Sequence, residues 1–139
     1  MSRYFVELSF KGTRYFGWQV QPGKPTVQET LENVFSAFLR FPVAITGAGR
    51  TDTGVHASFF VAHFDAEELP CFPEDLVYKL NRFLPEDIAL HRIFAVDPDA
   101  HARFSATSRT YRYVISRKKN PFSTDTAWEY LLPLDLAAM

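Results

Sequence analysis

Apolar and polar positions alternate at the start of the chain, with Tyr4, Val6, Leu8 and Phe10 set against Glu7, Ser9 and Lys11. A period of two predicts a strand with one buried face. Gly12, Gly17, Pro22, Gly23 and Pro25 then punctuate a loop over 12–25. Thr26 and Glu29 form a capping box. After it, Val27, Leu31, Val34, Phe35, Phe38 and Leu39 recur at helical spacing, which predicts a helix over 27–40 stopped by Pro42. Residues 42–48 and 57–65 read as two strands around a glycine-rich turn. Pro70 and Pro73 mark a break, and Glu74 and Asp75 suit the start of a second helix. Its expected buried stripe is Leu76, Val77, Leu80, Phe83 and Leu84, and Pro85 ends it. Ile88, Leu90, Ile93 and Val96 predict a fourth strand whose phase slips once, and 109–116 alternates again as a fifth.

The order is β-α-β-β-α-β plus one extra strand. That is an α+β, ferredoxin-like split arrangement: an antiparallel sheet backed on one side by two helices. The expected division is a domain over 1–120 and a connecting segment over 121–139. At the end, Asp135 reads as the N-cap of a helix beginning Leu136-Ala137-Ala138, with no C-cap after it. We therefore expect part of the natural protein to lie beyond Met139.

Composition changes the picture in three places. With 47% hydrophobic residues and 14 Phe among 139, the chain has material for a real core and is not expected to be disordered. The single Cys71 cannot close an internal disulfide, no run approaches the ~18 apolar residues of a membrane span, and no signal-peptide core opens the chain. Cytoplasm is the expected compartment. The net charge of −1 is segregated: residues 65–99 carry nine acidic and three basic side chains, whereas 100–119 carry six basic and none acidic. Phe104, Tyr111 and Tyr113 are interleaved with Arg103, Arg109 and Arg112 in that basic stretch. The combination suits RNA, whose phosphates take the guanidinium groups and whose bases stack on the rings.

The candidate chemistry lies in Gly47-Ala48-Gly49-Arg50-Thr51-Asp52-Thr53-Gly54-Val55-His56-Ala57. A tight loop between two strands holds a polar side chain at a fixed point on a rigid scaffold. The residues alone leave open a plain turn in which Asp52 caps a backbone N–H. A phosphate loop fails, because no Lys follows Gly54, and the glycine spacing does not fit a dinucleotide site. Asp52 and His56 would align for a metal only on a helix, which Thr53-Gly54-Val55 disfavours. His63, on a hydrophobic strand, reads as a satisfied core or edge residue. A single acid with no second carboxylate nearby favours nucleophilic over paired acid–base chemistry.

Gly49 to Ala57 resembles the signature loop of the tRNA pseudouridine synthases of the TruA family. Four further segments match in order: Gly12 to Gln21, Thr26-Val27-Gln28 with Leu31-Glu32, Leu80-Asn81 with Leu84 to Ile88, and His101 to Ala106 with Arg109, Tyr111, Arg112 and Tyr113. Lys11 and Thr53 depart from the family, which usually has Asp and often Ala there. The resemblance implies isomerisation of uridine to pseudouridine in the anticodon stem-loop of tRNA, with no cofactor and no metal. It implies that Asp52 is the nucleophile and that Tyr111 stacks on the target base. It also implies that Arg50, His56, Arg103 and Arg109 contact the substrate, with Arg50 open as well to pairing with Asp52, and that the full-length protein is a homodimer. The family's basic partner of the Asp would lie beyond Met139, so this chain alone is expected to be inactive. The rival functions are a non-catalytic RNA-binding module on the same fold and, more plainly, a metabolite-binding domain.

Overall fold

The computed structural model describes residues 1–139. A four-stranded antiparallel sheet runs β2-β3-β1-β4, with β1 at Ser2–Phe10, β2 at Thr46–Gly47, β3 at Ala57–Ala66 and β4 at Ile88–Val96. Helices α1 (Val27–Leu39) and α2 (Pro73–Phe83) complete the split βαβ order. The alternation in β1 does what its period requires: Val6, Leu8 and Phe10 are buried, and Val6 and Leu8 face Ala62 and Phe60 across the β1–β3 ladder. Leu31 and Phe35 of α1 and Leu76 and Leu80 of α2 close the core over that face. The Phe35 and Phe64 rings meet edge to face at 5.1 Å, a geometry aromatic pairs favour.

The capping signal holds. Thr26 is the N-cap of α1, and its hydroxyl accepts the Glu29 N–H at 3.3 Å. The helix stops at Leu39, three residues before Pro42, because Arg40 turns left-handed at φ 62° and donates its N–H to the Ser36 carbonyl. In α2 the buried stripe is narrower than predicted: Phe83 is exposed and rests against Phe38. The slip in β4 is a bulge. Glu7 faces Arg92 and Leu8 faces Leu90, leaving His91 over. Asn81 on α2 stands in for the disturbed ladder, donating to the Leu90 carbonyl at 2.9 Å and accepting the Leu90 N–H at 2.8 Å.

Two predicted strands shrink. Of 42–48 only Thr46–Gly47 pairs with β3. The backbone before it is held by the polar stripe of α1 instead. Ser36 accepts the Val43 N–H at 2.8 Å, Glu32 accepts the Ile45 N–H at 2.9 Å, and Gln28 donates to the Ile45 carbonyl at 2.7 Å. Spaced by four, these side chains lie on one helix face and satisfy the backbone groups a strand partner would take. The predicted fifth strand over 109–116 is realised only at β5, Ile115–Ser116, which pairs in parallel with β6, Trp128–Glu129, in a separate two-stranded sheet. Alternation without a partner for its backbone does not make a strand.

The chain divides into a compact unit, Met1–Thr107, and a second, Ser108–Met139. No residue of the second is buried. There Asp135 does cap a single helical turn, Leu136–Ala138. No helix is long and apolar enough to cross a membrane.

Candidate active site

The loop between β2 and β3 continues the ladder for one more rung, Ala48 N–H to the Val61 carbonyl at 2.8 Å, and then leaves the sheet. It turns back at Asp52-Thr53-Gly54-Val55, where the Asp52 carbonyl accepts the Val55 N–H at 3.2 Å and Gly54 adopts φ 81°. The turn is closed by the Asp52 main chain. Its carboxylate makes no hydrogen bond or ion pair within the chain and stands exposed, so it is not the cap of a plain turn. No ion pair joins it to Arg50, which is also exposed on the same loop.

What fixes this loop is the segment 12–18. Gly12 donates its N–H to His56 Nδ1 at 2.9 Å, Gly54 donates to the Tyr15 carbonyl at 3.2 Å, and Trp18 donates to the Thr51 carbonyl at 3.3 Å. The approach is close enough to exclude side chains. A Cβ on Gly17, itself at φ 80°, would lie 2.3 Å from the Thr51 carbonyl oxygen. His56 is thus a strut of the loop, its Nδ1 occupied by the Gly12 N–H.

The strap is in turn anchored to the core. Trp18 is buried against Phe60 and Phe10, with ring centroids at 4.7 and 6.1 Å. The carbonyls of Gly17 and Trp18 accept the N–H groups of Val27 and Gln28, two of the donors that the first turn of α1 leaves unpaired. Tyr15 is buried and donates its hydroxyl to Asp87 at 2.6 Å. Burial, reinforced by the Asp87 carboxylate, pushes the Tyr15 hydroxyl far above its ordinary pKa, so it stays a neutral donor. Sequence reasoning singled out Gly12 to Gln21 but gave it no role. The usable signal was two glycines five residues apart with Tyr15 between them and Trp18 just after.

The other candidates are carried by other segments of the chain. Arg103 sits in the loop after β4, exposed, with its guanidinium carbon 5.7 Å from the Phe104 ring centroid. Arg109 and Tyr111 belong to the second unit and are exposed there. His63, expected as a satisfied core or edge residue, is buried on the sheet, with Nδ1 accepting the Ala102 N–H at 3.0 Å. Burial, with help from Arg3 and His101, pulls its pKa down to about 4. No three His, Cys, Asp or Glu side chains converge in a way that could hold a metal ion.

The arrangement thus presents a free carboxylate on a turn held from two sides, a geometry suited to attack on an electrophilic carbon. Comparison with known proteins places the chain in a family. Residues 8–105 match the family described as tRNA pseudouridine synthase. The chain is 50% identical, over its whole length, to the tRNA pseudouridine synthase A of Parabacteroides distasonis, and it covers 55% of that relative. It is 48% identical over its whole length to the protein of the same name from Bacteroides fragilis, covering 55% of it. For that of Dictyoglomus thermophilum the identity is 44% over 97% of this chain and 56% of the relative. The chain spans about half the length of the curated relatives it matches.

Proposed function

The chain belongs to the tRNA pseudouridine synthase family, and on that premise we propose that it supplies the acid-bearing half of an enzyme that isomerises uridine to pseudouridine in the anticodon stem-loop of tRNA. The observation that carries this reading is the exposed, unengaged Asp52 carboxylate on a turn clamped by the 12–18 strap. Asp52 attacks the ribose C1′ or the uracil ring, and the N-glycosidic bond breaks. The freed uracil turns in place, a C5–C1′ bond forms, the bond to the Asp52 carboxylate breaks and releases it, and the C5 proton leaves to solvent while N1 gains one. Atoms and electrons balance without a co-reactant.

Reaching the base requires taking it out of its stack, and an aromatic ring such as Tyr111 replaces part of the lost stacking. Arg50, Arg103 and Arg109 suit the backbone phosphates, which makes binding salt-sensitive. We place the enzyme in the cytoplasm and take it to act as a homodimer. Because the relatives are nearly twice as long, the 139 residues alone are expected to be inactive.

Tritium release from C5-labelled tRNA tests the reading. A chain completed to the relatives' length is expected to turn over, and the 139-residue chain is not. A completed chain that binds tRNA but releases no tritium would mark the protein as a non-catalytic RNA-binding module.

A further inference from the structure

The loop after β4 is fastened to the sheet face opposite the helices with more polar contacts than a connection needs. Arg3 and Asp65 face each other across β1 and β3, with the guanidinium bonded to both carboxylate oxygens at 2.8 and 3.0 Å. The remaining Arg3 nitrogen donates to the Ala100 carbonyl at 3.0 Å. Two rungs along the same face stands His63, whose Nδ1 takes the Ala102 N–H. Its ring meets that of His101 edge-on at 4.6 Å. His101 Nδ1 then accepts the N–H groups of Arg103 and Phe104 at 3.1 and 3.2 Å, and the His101 and Ser105 pair closes the turn.

All this fixed backbone ends in an aromatic ring left in water. Phe104 is 76% exposed. Its ring lies on His101 at 4.3 Å with only 26° between the planes, and the Arg103 guanidinium stands beside it. Core packing does not account for a knuckle that spends a buried imidazole and a bidentate ion pair on holding a phenyl group outside. A rigid, solvent-facing π-surface next to a guanidinium matches an unpaired nucleobase and its phosphate.

We propose that residues 100–105 form a base-stacking site, in which Phe104, backed by His101 and flanked by Arg103, receives an unpaired base of the RNA substrate. Arg3 and His63 are its positioning residues. The assignment rests on RNA being the substrate and goes further by naming the ring and the class of nucleotide it takes.

The test is fluorescence anisotropy of a labelled single-stranded oligouridine titrated with the 139-residue chain, alongside a duplex of the same length. Phe104→Ala is expected to weaken single-strand binding about tenfold, Phe104→Trp to retain it, and neither to change duplex binding. His63→Phe, which removes the acceptor, is expected to lose as much as Phe104→Ala and to make that second change silent, while His63→Asn restores binding. Equal affinities for wild type and Phe104→Ala, or no wild-type binding to the single strand, would overturn the proposal. If Phe104→Ala binds normally while the completed chain releases tritium, the stacking site is wrong and the enzyme reading stands. If single-strand binding needs Phe104 but the completed chain releases none, the reverse holds.

Discussion

Gly17 and Gly54 share a positive φ, near 80° in both, yet only one of them also lacks room for a side chain. Around Gly54 a Cβ would meet nothing within 4 Å, so Gly54→Ala carries only the left-handed backbone penalty, about 1 kcal/mol. Gly17→Ala carries that penalty plus the clash with the Thr51 carbonyl and should cost at least ~3 kcal/mol. Urea denaturation of the two variants checks the ordering, and equal losses would mean that the strap yields to the added methyl. At this scale the turn that carries Asp52 was legible, because a carboxylate in a small, glycine-rich run stands out in a row of residues. The roles of Gly17 and Tyr15 were not. Each acts on a partner far along the chain, Thr51 and Asp87, and nothing in the local spelling names a long-range partner.

Among the elements, those read correctly are held by their own sequence. Helix α1 carries its cap, its apolar stripe and its stop signal locally, and Thr26→Ala is expected to cost about 1 kcal/mol, measurable as a lower denaturation midpoint. The segment before β2 misled because Val43 and Ile45 alternate into the core as a strand would, while their backbone bonds to α1 side chains. The loop 100–105 gives a pH signature. His63 is held at about 4 against an ordinary 6.5, by burial first and by the nearby Arg3 and His101 charges next, with Asp65 opposing weakly. The folded state therefore refuses a proton that the unfolded chain takes up. Stability from this group is full above about pH 6.5 and falls as the pH drops toward 4, by on the order of 3 kcal/mol. The Asp65 carboxyl, held below its ordinary 3.8 by Arg3, loses its contribution only at lower pH, so the two windows separate. Denaturation midpoints should decline from pH 6.5 to 4 in the wild type and much less in His63→Asn. Parallel profiles would place the sensitivity elsewhere.

Over the whole molecule, packing is uneven. Met1–Thr107 contains every buried residue, whereas Ser108–Met139 has two strands of two residues and none buried. Limited trypsin digestion is expected to cut first after Arg109, Arg112 or Arg117 and leave a resistant core ending near Thr107. Early cleavage at Arg82 or Arg92 would contradict that order of stability. The ferredoxin-like order was legible because β1, α1, α2 and β4 each carry a periodic signal and the glycine-rich run marks the turn between β2 and β3. The fate of 109–116 was not, since strand formation there depends on a partner that the pattern does not specify. The most direct measurement is pseudouridine formation on tRNA by the completed chain carrying Asp52→Asn. The exposed position predicts a melting temperature close to wild type and turnover lower by at least about a thousandfold. A stable Asp52→Asn protein that still converts uridine at a comparable rate would contradict the assignment of Asp52 as the nucleophile.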